Sequence, residues 1–346
     1  MPPPPVHFAR LSGLGPLPRL FEADLNARAL RRLLSGEGIY LEGVAPNTPV
    51  PFASMNAVFN QAARLSGDAL FSLRVARAMR PEDYGAFATY ALQTPTLADG
   101  IGRVCRLGHL QNNACRFRLA DADGRAFWSL HYIAARGQRV DAHALHVLLP
   151  MIDFVRRYAA DAPGRITMRV TTPADGSLRA LEQALEIPVR GGCDVAGIVF
   201  PSSWLRLPPV VTPRARTISF AEMIAGYRID TLPRSMTETV AALLAPTIGN
   251  AEVDLDVIAG RLNVSRRTLQ QRLSAEGASF RDISLRARMS RARQLIVAGN
   301  SPMAEVALAV GYSDQAHFSR AFKVQTGLTP QEFRRGMVAG AAIAAE

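Results

Sequence analysis

Lysine is nearly absent from this chain: of 40 basic side chains, only Lys323 is not arginine. Cysteine is scarce too. Cys105, Cys115 and Cys193 are odd in number and widely spaced, which does not fit a disulfide framework. No Cys-x-x-Cys pair exists to nucleate a zinc site. No stretch reaches ~18 uninterrupted apolar residues, so a membrane span is not expected. The start lacks a basic region followed by an apolar stretch and a small-residue cleavage site, so no export signal is expected either. These absences point to the cytoplasm. What remains is 346 residues, 48% hydrophobic, enough for two packed cores.

The net charge of +11 suits a polyanionic partner. It is not concentrated in one half: Met1 to Arg234 holds 27 basic and 19 acidic residues, and Ser235 to Arg335 holds 13 and nine. Only locally is it sharp, where Ser265 to Arg293 carries eight arginines against Glu276 and Asp282.

The chain reads as an α+β domain, a linker and an all-α domain. Residues 1–17 and 336–346, Pro-rich and Ala/Gly-rich at their ends, are expected to be unstructured. Residues 18–201 form the mixed domain. Apolar spacing predicts helices over Asn56 to Leu65, Ala69 to Ala78 and Val140 to Tyr158, and one begun by Thr96 as cap. Alternation over Ala114 to Ala120 and Ala126 to Ile133 predicts a hairpin turning at Asp121 to Gly124. Ile166 to Val170 and Val195 to Phe200 read as further strands, with Ser177 to Leu185 helical between them. Residues 202–234, punctuated by Pro208, Pro209 and Pro213, read as a linker with a short helix at Ser219 to Tyr227.

Residues 235–335 are helical throughout and hold two helix-turn-helix units. In the first, Leu255, Ile258, Ala259 and Leu262 form a buried stripe, Asn263-Val264 the turn, and Ser265 a cap. Leu269 and Leu273 face inward on the next helix, leaving Arg266, Arg267, Gln270, Gln271 and Arg272 outward. Arg and Gln donate in pairs to guanine and adenine edges in the major groove. A long helix over Phe280 to Ala298 leads, past Gly299-Asn300, to the second unit: Val306, Ala307 and Val310 as core, Gly311 as turn, Asp314 as cap. Phe318 and Phe322 face inward; Gln315, Ala316, His317, Ser319, Arg320 and Lys323 face out. Gln315, His317 and Arg320 suit base edges, and Lys323 a phosphate.

This half, with Gly327, Pro330, Phe333 and Arg334 closing it, resembles the AraC/XylS family of bacterial transcription regulators. The resemblance covers Ser235 to Arg335. It implies a seven-helix domain whose long central helix holds two recognition helices about one helical turn of DNA apart. It places Arg267, Gln270 and Gln271, and Gln315, His317 and Arg320, at base-facing positions. The sequence departs at Asn263, where the first turn usually has glycine, and at Ala316, which cannot donate. The amino-terminal half is similar to the subgroup with an arabinose-binding-like domain, a name that does not specify the ligand. The implied protein is not an enzyme and has no cofactor. It is a ligand-responsive activator, a homodimer that binds double-stranded promoter DNA and works with RNA polymerase.

A small effector is expected between helices and sheet, where Tyr84, Phe87, Tyr90, Phe117, Trp128 and Tyr132 offer an aromatic wall, though that spacing also suits plain core. Cys105 with His109, and His143 with His146, sit at helical spacings that ordinary core or surface residues also satisfy, so no metal is expected. Asp121 and Asp123 read as turn residues. Two alternatives stand beside the regulator: a DNA-binding module fused to a thiol-dependent enzyme using one of the three cysteines, and a ligand-free architectural protein.

Overall fold

The structure is a computed structural model that describes residues 7–41, 44–79, 81–133, 139–159, 163–173, 177–210, 217–227, 233, 235–249, 254–262, 264–298 and 301–335. It divides into two compact units, Met1–Glu37 with Ala45–Leu232, and Gly38–Val44 with Pro233–Glu346. Among the described residues no helix is long and apolar enough to cross a membrane.

The described part of the first unit opens on a strand. Strand β1 (Phe8–Arg10) pairs antiparallel with β2 (Pro49–Pro51), Phe8 opposite Pro51. Phe8, Leu11 and Leu14 are buried, so the expectation of an unstructured 1–17 fails from residue 8 onward. The partner that orders this stretch lies some forty residues away, outside any local pattern. Helices α1 (Leu17–Asp24) and α2 (Ala27–Gly36) separate the two strands. Then follow α3 (Phe52–Ser66), α4 (Phe71–Arg77), α5 (Ala86–Leu92) and α6 (Leu97–Leu107). Thr96 caps α6 as its sequence suggests, accepting from the Asp99 N–H.

The hairpin comprises β3 (Cys115–Ala122) and β4 (Arg125–Tyr132). Its turn is tighter than expected. Only Asp123 (φ 51°) and Gly124 (φ 71°) leave the ladder, and Asp121 pairs with Ala126 as a strand residue. Two successive left-handed residues match the right-handed twist of the strands. After α7 (Asp141–Arg156) come β5 (Thr167–Arg169), α8 (Ser177–Leu185), β6 (Val189–Arg190) and β7 (Ala196–Pro201). The sheet order is β3-β4-β7-β5-β6, antiparallel except between β5 and β6, which α8 links.

The period-two alternation sorts this sheet into unlike faces. Trp128, Met168, Ile198 and Phe200 are buried with Leu148, Ile152 and Val155 of α7 in one core. The register puts Arg116, Arg118, Arg125, Arg169 and Arg190 on the opposite face. The expected linker is largely part of this unit. Trp204 stacks on Phe200 at 6.2 Å, the Leu97 N–H donates to Leu207 O, and Met223 of α9 (Phe220–Tyr227) is buried in the same core. Pro208 and Pro209 lie in irregular backbone that follows this packed stretch.

The second unit comprises α10 (Met236–Leu244), α11 (Leu255–Arg261), α12 (Arg266–Ala275), α13 (Phe280–Ala298), α14 (Met303–Ala309), α15 (Gln315–Thr326) and helical backbone at 330–335. It has two cores. Leu243, Leu255, Ile258, Leu269, Leu273 and Ile283 build one; Met289, Ile296, Val306, Val310, Phe318 and Phe322 build the other. Helix α13 supplies both, Ile283 to the first and Met289, Ala292 and Ile296 to the second. Asn263, Gly299, Asn300 and the tail 336–346, on which sequence expectations fell, lie outside the described residues.

Candidate nucleic-acid interface

Each outward helix is positioned from below by its core and at its start by a cap. In α12, Leu269 and Leu273 are fully buried, which turns Arg266, Arg267, Gln270 and Gln271 to solvent and leaves Arg272 half-buried. Ser265 accepts from the Thr268 N–H at 3.1 Å, satisfying one of the helix's unpaired donors. In α15, buried Phe318 and Phe322 turn Gln315, Ala316, His317, Arg320 and Lys323 outward, with Ser319 half-buried. Asp314 caps this helix, accepting from the His317 N–H at 2.7 Å. Gly311 turns with φ 82°, a conformation that a Cβ makes costly. Gly327 ends the helix with φ 80°, its N–H donating to Lys323 O at 2.8 Å.

Two features of this surface have no local sequence signature. Arg266 pairs with Asp256 of α11 at 2.6 Å, so its guanidinium is already engaged, while Arg267 beside it forms no ion pair among the described residues. Arg288 of α13 donates to Gly311 O at 2.9 Å and lies over the Tyr312 ring at 5.9 Å. Tyr312 in turn meets His317 edge-on at 5.3 Å. A side chain of the central helix thus fixes the turn and, through Tyr312, the imidazole of the second recognition helix. It is one of several arginines on that helix, and spacing alone does not distinguish it.

In the first unit, two adjoining cavities of about 50 and about 60 Å3 lie between the helices and the sheet. Tyr84, Phe87 and Phe117 border both, and Trp128 borders one. Four of the six expected aromatics therefore share a wall. Tyr132 sits behind it, its hydroxyl 2.8 Å from His143 Nδ1. Tyr90 is elsewhere: Arg103 stacks on its ring at 3.9 Å and Phe220 packs beside it. Tyr90 borders neither cavity.

His143 and His146 are buried and border one cavity. Burial lowers their pKa values, His143 to about 3 with His146 adding to the effect, and His146 to about 4. Both are neutral at pH 7. Tyr84 completes this cluster. Pro150, inside α7, has no N–H for the carbonyl of His146 four residues before it. The Tyr84 hydroxyl donates to that carbonyl at 3.2 Å, with His146 Nε2 at the same distance. Burial pushes the thiols of Cys105 and Cys115 up to about 11 and about 12, so neither is a nucleophilic thiolate at neutral pH. Among the described residues no three His, Cys, Asp or Glu side chains converge as metal ligands.

Comparison with known proteins agrees with this two-part architecture. Residues 28–209 match the family model described as the arabinose-binding domain of AraC transcription regulators, N-terminal, and residues 258–336 match a helix-turn-helix domain. The ornithine utilization regulator of Pseudomonas aeruginosa is 23% identical over 310 residues, 84% of this chain and 86% of that protein. The transcriptional regulator VirS of Mycobacterium tuberculosis is 30% identical over 100 residues, a match that spans only 29% of either chain. The crystal structure of the regulator CdpR from Pseudomonas aeruginosa aligns with 91% of this chain and 98% of its own, at 19% identity and a TM-score of 0.40.

Proposed function

Because the chain belongs to the AraC family of DNA-binding transcription regulators, we propose that it reads promoter DNA with α12 and α15 in two successive major-groove segments. The segments lie roughly 10 bp apart, one helical turn of the duplex. Arg267, Gln270 and Gln271 contact bases in one segment, and Gln315, His317 and Arg320 in the other. Lys323 holds a phosphate, and Arg266 joins the interface once released from Asp256. One observation carries this reading: two helices, each capped at its start and seated on its own core, present outward amide and guanidinium groups from the two halves of one long helix. The protein acts as a homodimeric activator that engages RNA polymerase. Footprinting on its own upstream intergenic DNA, with excess random competitor, tests the reading. Two protected major-groove segments per protomer are expected; protection that competitor abolishes in every sequence overturns it.

The effector fills the cavities of the first unit, and it is neutral and mostly apolar. Their wall includes Met55, Phe87, Val104, Phe117, Trp128 and Phe154, with no Asp, Glu, Lys or Arg. Both bordering histidines are uncharged at pH 7. A charged amino acid, such as the ornithine in the name of one relative, would be desolvated there without a countercharge, a penalty of several kcal/mol per ion. The polar side chains bordering the cavities are Tyr84, Gln111, Asn112, His143 and His146. Binding shifts the balance between forms that differ in DNA affinity. The test is a panel of neutral aromatic compounds against amino acids, read as thermal shift of the full chain and as operator affinity. A ligand that stabilises the chain yet leaves operator affinity unchanged overturns the regulatory part, and preferential binding of an amino acid overturns the chemical class.

A further inference from the structure

The positive charge of the amino-terminal half has a specific address. The face of the five-stranded sheet turned away from the core carries Arg116 and Arg118 on β3, Arg125 on β4, Arg169 on β5 and Arg190 on β6. No Asp or Glu stands among the strand residues of that face. All but Arg169 are exposed; Arg169 is half-buried and lies over the Phe127 ring at 4.8 Å. Among the described residues no carboxylate forms an ion pair with any of the five. Four interstrand steps of ~4.8 Å separate β3 from β6, so the arginines cover a width of about 19 Å. Keeping five like charges on one open face without counterions in the fold is unfavourable, unless an external anion meets them.

We propose that this sheet face is a second DNA-contacting surface, which docks phosphates of duplex flanking the segments read by α12 and α15. The proposal rests on the DNA-binding role of the carboxy-terminal unit but not on which bases it reads. Two observations favour DNA over an acidic protein. The face lacks an aromatic anchor for a protein partner, since its one large ring, Phe127, is covered by Arg169. And the duplex is already held by the same chain, so a weak second contact acts at high effective concentration. This surface also accounts for a charge distribution that the recognition helices leave unexplained, with more net positive charge outside the DNA-reading half than within it.

The test uses the full chain and random-sequence duplexes, because phosphate contacts are insensitive to sequence. One duplex of about 20 bp is filled by the two recognition helices, and one of about 60 bp offers flanks. The variant Arg116→Ala/Arg118→Ala/Arg190→Ala alters exposed side chains only, and the corresponding Arg→Lys triple keeps the charge. On the long duplex the log-affinity against log-salt slope of the Ala variant should be shallower by about 2 to 3, at about 0.9 for each phosphate no longer neutralised. On the short duplex it should match the parent, and the Lys variant should recover most of the slope on the long one. An unchanged slope on the long duplex overturns the proposal, as does an equal loss on both lengths. Unaltered DNA binding combined with lost activation by added RNA polymerase also overturns it and assigns the face to an acidic protein surface.

Discussion

The two recognition units share a blueprint and differ in what holds them. The first rests on aliphatic side chains: Leu255, Ile258, Leu269, Leu273 and Ile283. The second rests on rings: Phe318 and Phe322 lie 5.6 Å apart, Phe322 and Phe333 5.7 Å, and Tyr312 packs on Phe318 at 5.7 Å. Aliphatic packing has no preferred direction, whereas aromatic pairs do. Arg288 adds a directed bond to the Gly311 carbonyl on the second side. The outer surfaces reverse the ranking. The first helix displays two arginines and two glutamines, while the second gives one of its outward positions to Ala316, which has nothing to donate. The unit with the richer outward chemistry is the one with fewer directed contacts in its core.

The strongest way to break this contrast is in the cores. Phe322→Ala should cost about 3–5 kcal/mol, and Leu273→Ala should fall lower within the ~2–5 kcal/mol span of such truncations. Hydrogen exchange at α15 and α12 amides reads the two losses separately, and a greater loss from Leu273→Ala contradicts the ranking. Next come the proposed base contacts. Arg267→Ala and Arg320→Ala should each cost about 1–3 kcal/mol on operator and relax preference at one position. Equal weakening on random DNA makes them phosphate contacts instead. The caps should be alike: Ser265→Ala and Asp314→Ala should each lower stability by about 1 kcal/mol, visible as fraying of the first turn of α12 or α15. Asp256→Ala has the smallest stability effect, below about 1 kcal/mol for so exposed a pair. It should nevertheless raise DNA affinity by freeing Arg266, and unchanged affinity means that Arg266 does not reach the duplex.

What was legible in the sequence was local. Thr96, Ser265 and Asp314 work as caps because a cap needs only a side-chain oxygen and an N–H three residues on. The outward positions of α12 and α15 follow from helical period once the buried Leu and Phe pairs are set. The order of residues 8–17 was not legible, since it depends on β2, nor was the docking of 202–227, which depends on Phe200 and the first unit's core. The hairpin turn was placed too broadly because the Asp123-Gly124 pair by itself closes a two-residue loop. At the interface, the Arg266–Asp256 pair and the Arg288–Tyr312–His317 chain join residues that no periodicity relates. In the cavity, spacing gives no way to tell Tyr84, Phe87, Phe117 and Trp128, which border it, from Tyr90, which a cation on a neighbouring helix engages.

Pro150 gives the cavity an unusual fastening. An uninterrupted helix hides its carbonyls, but the imino acid releases one, and a single phenol from the cavity wall takes it up. The wall and the backbone of α7 are therefore buttoned together at one point. A guest that pushes Tyr84 aside undoes the button and leaves a buried carbonyl that must find a water or another donor. A displacement of Tyr84 is thus felt in the backbone of α7.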